Sequence, residues 1–128
     1  MHPVRHLQRL GAVALFALAV ASTPAQAQAP VAAEIHIGGI GPAVDATAFR
    51  KVKLLLADAL ARDTIAYFDV YGYGKEGGFS ACVEKGLFAA DGSFERLLAT
   101  LRAVRVNSST TAYNITPVDQ CSYPVAAP

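Results

Sequence analysis

The sequence predicts an α+β domain in which one four-stranded antiparallel sheet carries two helices on a single face. Three observations carry that expectation. Apolar residues recur at every second position in four short segments and at every third or fourth position in two longer ones. Glycine-rich or polar breaks separate these segments, and their order along the chain is strand, helix, strand, strand, helix, strand.

The first strand is expected over Ala32 to Gly38, where Ile35 and Ile37 alternate with Glu34 and His36. Gly38-Gly39-Ile40-Gly41-Pro42 ends it, because glycine and proline weaken a ladder and proline cannot donate to one. Asp45 or Thr47 is placed to cap the helix that follows, whose apolar face is Phe49, Val52, Leu55, Leu56, Ala59 and Leu60. That helix is expected to stop near Arg62-Asp63. Thr64 to Tyr71 is aromatic and β-branched, the second strand, and Gly72 to Gly78 is a turn from which Phe79 to Glu84 returns as the third. After Gly86 and a short connection, Phe94, Leu97, Leu98, Leu101 and Val104 mark the second helix. Thr110 to Thr116 is the last strand, and an irregular tail over 117–128 holds Cys121.

This order is the split β-α-β arrangement of the ferredoxin-like fold, βαββαβ, with spatial strand order fourth, first, third, second. The resemblance is one of topology, and that fold hosts many unrelated activities. In it, Cys82 near the end of the third strand and Cys121 past the end of the fourth share one rim of the sheet. Two strand spacings are about 10 Å, and the residues from Thr116 to Cys121 reach roughly 16 Å when extended, so a bridge is expected. With two cysteines in the chain, one pairing exists.

The N-terminus has a different character. Arg5 and Arg9 precede an apolar run, Leu10 to Ala21, and Ala25-Gln26-Ala27 closes a stretch of small and polar residues. Basic, apolar and small-residue regions in that order describe a secretory signal peptide, 1–27, cleaved after Ala27. The apolar run falls short of the roughly 20 residues that a spanning helix needs, so no membrane attachment is expected after cleavage. The single domain is then 28–128, exported to the periplasm or the medium. Removing Arg5 and Arg9 takes the formal charge from +1 to −1, and with no basic surface the chain is not a nucleic-acid binder.

Three candidate sites follow from the topology. Alternation places His36, Ile65, Tyr67 and Tyr71 on the sheet face without helices, an amphipathic surface suited to a protein partner or a second copy of the chain. His36 with Glu34, Asp69 and Glu84 is the one constellation resembling acid-base chemistry, and Ser80 falls on a strand beside His36. Its residues lack metal-ligand spacing, and neither a metal nor another cofactor is expected. The opposite rim gathers Gly39, Gly41 and Gly74 with Lys75, where backbone amides can converge on an anion. Gly72-x-Gly74-x-x-Gly77 matches a dinucleotide pattern only in letters, since a strand rather than a helix follows it. The sequence thus points first to an interaction module without catalysis, and second to a small enzyme or anion binder.

Overall fold

The computed structural model describes residues 21–22 and 28–122. The expected leader, apart from Ala21 and Ser22, and the last six residues of the tail lie outside the described residues. Six elements follow in the predicted order: β1 (Ala32–Gly39), α1 (Ala46–Ala61), β2 (Ile65–Tyr73), β3 (Gly78–Lys85), α2 (Ser93–Arg102) and β4 (Thr111–Val118). The strands form one sheet in the order β2-β3-β1-β4, antiparallel at every junction. This is the α+β ferredoxin-like arrangement.

One core lies between the sheet and the helices. Ile35 and Ile37 of β1, Phe79, Ala81 and Val83 of β3 and Ile115 of β4 pack against Val52 and Leu56 of α1 and against Phe94, Leu98 and Leu101 of α2. In α1 the buried residues are Ala48, Val52, Leu56 and Ala59, a single stripe of helical period. Leu60, expected on that stripe, is instead exposed. Phe79 holds two rings, Phe49 at 5.3 Å and Phe68 at 5.5 Å between centroids, which fixes α1 over the β2–β3 hairpin. Burying a side chain of Leu, Ile or Phe size contributes about 1.5–3 kcal/mol, so this cluster dominates the stability of so small a domain.

Asp45 is the cap of α1. Its Oδ1 accepts from the amides of Thr47 and Ala48, both at 3.1 Å, and its Oδ2 accepts from the Asn107 amide, also at 3.1 Å. Its own amide donates to Thr111 Oγ1 at 2.7 Å. The Ala48 and Asn107 amides hold the Asp45 carboxyl below its ordinary pKa, with Thr47 adding to them and desolvation opposing. At the end of α2, Tyr113 donates its hydroxyl to the Leu101 carbonyl at 2.6 Å, satisfying one of the acceptors a helix leaves open, and burial pushes this phenol up to about 12.

Besides shifts of one residue at several strand ends, the hairpin turn, the end of β4 and the register of β2 differ from the sequence expectation, each with a local cause. Gly72, Tyr73 and Gly78 belong to strands, so the hairpin turn is only residues 74–77. Pro117 and Val118 belong to β4 rather than to the tail. Proline is tolerated there because β4 is an edge strand, paired with β1 alone. The third difference changes faces. The β2–β3 register slips between Ile65 and Tyr67 and again between Val70 and Gly72. The first irregularity turns Ile65 under the helices, where it is 1% exposed, and sends Ala66 outward. Ile65 is therefore a core residue, not part of the open face.

Cys82 and Cys121 are bonded, with Sγ atoms at 2.05 Å and Cα atoms at 5.8 Å. The bond passes over the start of β1, where Ala32, fully buried, packs with both cysteines and with Tyr67 and Val118. A small side chain at Ala32 leaves room for that crossing. The Cys121 amide donates to Glu84 Oε1 at 3.0 Å, a second tie between tail and sheet.

Two stability measurements check this account. Replacing Cys82 and Cys121 together by Ser opens a loop spanning 39 positions and should cost about 2–4 kcal/mol in denaturant unfolding, with no free thiol titrating in the unfolded, unreduced wild type. Ile65→Ala should cost about 2–5 kcal/mol while Ala66→Ser stays within about 0.5 kcal/mol, the reverse of what uninterrupted alternation implies.

Candidate functional site

The face away from the helices is built in rows by the register. Gly72, Ser80, His36 and Asn114 stand in one row across β2, β3, β1 and β4. Asp69, Cys82, Glu34 and Thr116 form the next, and Tyr67, Glu84, Ala32 and Val118 the last. The disulfide and tail cover the last row. Beyond the first row lie Gly38 and Gly78, which carry no side chains. What remains open is a middle band holding His36, Glu34, Asn114 and Thr116, all exposed, with Tyr71 beside it at 44% exposure.

Within the band, His36 Nδ1 and Ser80 Oγ are hydrogen-bonded at 2.8 Å. The imidazole leans over Gly38, where a β-carbon would meet its Cε1 and Nε2 at 3.6 Å. Asn114 Nδ2 donates to Thr116 Oγ1 at 2.8 Å along β4. Tyr71 sits at the second irregularity of β2, close enough to Glu34 to feel its charge. Burial raises the Tyr71 phenol above its ordinary pKa, and the Glu34 carboxylate adds to the rise.

The acid-base constellation does not converge. His36 pairs with Ser80 rather than with a carboxylate, Glu34 and Asp69 flank Cys82 two strand spacings apart, and Glu84 is engaged by the Cys121 amide. Among the described residues no group of three His, Cys, Asp or Glu side chains is placed to hold a metal ion. Asn114 and Thr116 complete the band from β4, a contribution that follows from the strand order and not from any motif.

The glycine rim is a packed junction. The Gly39 amide donates to Gly77 O at 3.2 Å, the Gly74 amide to Gly78 O at 3.4 Å, and the Val44 amide to Glu76 O at 2.8 Å. A β-carbon on Gly39 would come within 2.6 Å of Glu76 Cβ and of the Pro42 carbonyl oxygen. Gly78 has φ +101° and presses against the β1 backbone, so it also admits no side chain. Gly39 and Gly74 therefore spend their amides on this turn instead of offering them to an anion. Gly41 and Lys75 stand exposed beside it.

Leu87 and Phe88, which no periodicity singled out, are 93% and 89% exposed in the connection after β3. Among the described residues no helix is long and apolar enough to cross a membrane. No family model, no curated protein and no solved structure matches the chain.

The placement of Tyr71 against Glu34 has a direct readout. Glu34→Gln should lower the Tyr71 pKa without returning it to the ordinary phenol value, because the larger cause, burial, is untouched. An NMR titration of the tyrosine ring carbons checks this, and an unchanged Tyr71 pKa in the variant contradicts the neighbourhood.

Proposed function

We propose that the chain is a small exported protein-interaction module that docks a protein through the middle band of its open sheet face. Export rests on the leader-like N-terminus, with cleavage after Ala27, and the disulfide suits an oxidising compartment. The observation that carries the docking assignment is Tyr71. An aromatic side chain 44% exposed, on a sheet held rigid by four paired strands and a disulfide, is the kind of preorganised anchor that supplies most of an interface's free energy.

A hydrolytic assignment would draw on the His36–Ser80 hydrogen bond. Against it, Ser80 lies on β3, a strand paired on both sides, so nearby amides serve the ladder and do not converge as an oxyanion hole. No carboxylate shares the His36 row to orient the ring.

The test is cross-linking through the open face in the exported fraction, followed by affinity measurement with the partner or second copy so identified. Tyr71→Ser should weaken binding by about tenfold or more, with thermal stability near wild type. Tyr67 is the poorer probe because it packs against the disulfide cluster. A monomer without a partner, binding indifferent to Tyr71, or covalent labelling of Ser80 by a fluorophosphonate overturns the assignment.

A further inference from the structure

The sheet ends in two edges of unlike character. β4 carries Pro117, which has no amide to donate to a further strand. β2 pairs with β3 alone and holds neither proline nor lysine, the residues that commonly blunt an edge. Between its two irregularities, Tyr67, Phe68, Asp69 and Val70 keep unbroken register with β3, so the outward backbone groups of this stretch are set for another strand.

Among the described residues, the three most exposed large apolar side chains stand at the two ends of this edge. Leu87 and Phe88, 93% and 89% exposed, line a cleft of ≈ 160 Å³ with Ile65 and Ala66 at the start of β2. Tyr73, 83% exposed, ends the strand. Ile65 and Tyr73 are equidistant from Asp69, so a two-fold axis near Asp69 that pairs β2 antiparallel with its copy carries Leu87 and Phe88 of each chain to Tyr73 of the other. Side chains of this size bury on the order of 500 Å² per copy, or about 1,000 Å² in all, before any backbone contact is counted, and that reaches what a specific interface needs.

We propose that β2 is a dimerisation edge that joins two copies of the chain, four strands from each, into one continuous sheet. This surface is separate from the open-face band and goes beyond the docking assignment above. Four residues in regular register supply few ladder bonds, each of small net free energy, so the affinity rests on the apolar clusters at the two ends. That requirement selects a second copy. An arbitrary extended segment satisfies the backbone and leaves Leu87, Phe88 and Tyr73 in water, whereas the antiparallel copy covers both clusters at once. Asp69, the charged residue of β2, opposes the association, because the axis brings it near its counterpart.

The experiment is sedimentation equilibrium of the purified exported protein from about 1 μM to about 1 mM, with isotope-filtered NMR on mixed labelled and unlabelled dimers. The expected result is a concentration-dependent dimer that Leu87→Ser with Phe88→Ser weakens at least about tenfold and Asp69→Asn tightens about two- to fivefold. Ile40→Ser with Leu54→Ser, exposed apolar residues away from this edge, should leave it intact. Because the replaced side chains are exposed, each variant should keep its fold, which thermal unfolding checks. Across the two copies, contacts should join the Phe88 ring to the Tyr73 ring. A monomer throughout the range, a dimer indifferent to Leu87→Ser with Phe88→Ser, equal loss in the control pair, loosening by Asp69→Asn, or contacts joining Phe88 to Phe88 overturns the proposal. If a different protein binds through Tyr71 while the chain stays monomeric, only the dimer fails; if the dimer forms at this edge and no binding responds to Tyr71→Ser, only the docking assignment fails.

Discussion

The pairing of β1 with both β3 and β4 is the constraint on which the remaining structure depends. Because β1 is the first strand and its partners come from the hairpin and the end of the domain, the sheet cannot be completed until the chain has returned. Alternation along β1 then divides the molecule. Ile35 and Ile37 are sealed under the helices, while Glu34 and His36 are exposed on the other side. The same pairing brings Cys82 and Cys121 to either side of the strand's start, so the covalent bond reinforces a junction that hydrogen bonds already define. Both the core and the open band are therefore products of one strand's position.

Strand β2 shows how a local irregularity is used. As an edge strand it leaves backbone groups available to other chains, and its two register slips interrupt the flat template on which indiscriminate pairing depends. The first slip gains Ile65 for the core. The second sets Tyr71 beside Glu34 at the margin of the open band. An uninterrupted β2 would have exposed a large aliphatic residue and buried only an alanine, so the bulge improves burial and surface at once.

Much of this was legible in the sequence because the signals were local or topological. The order of elements, the narrowing of the helix cap to Asp45 or Thr47 and the cysteine pairing all follow from short-range chemistry or from the geometry of one fold. The misses share a cause. Ile65 and Ala66 exchanged faces because a bulge depends on the partner strand's register, which periodicity within β2 does not contain. Pro117 looked like a strand breaker, yet its edge position removes the need for its missing donor. Gly39 and Gly74 looked like free amide donors because their acceptors, Gly77 O and Gly78 O, appear only once the turn is closed. The His36 constellation was assembled from residues on one face, and sharing a face does not decide which partner each group takes: His36 bonds Ser80, and Glu84 accepts from the Cys121 amide.

The distribution of polar groups on the open face is the reason for proposing docking there. A reactive site concentrates donors around one point and shields it from water, whereas here the hydrogen bonds His36–Ser80, Asn114–Thr116 and Cys121–Glu84 are spread along three rows. Each engages groups of the face with one another. What is left with unmet capacity is charge and aromatic surface: Glu34 and Asp69 without ion pairs among the described residues, and Tyr71 half-exposed beside them. Under the docking proposal these are the groups that a contact on this face would engage. The rigidity supplied by β1 and the disulfide would lower the ordering cost of such a contact, which is the physical ground on which the proposed docking stands.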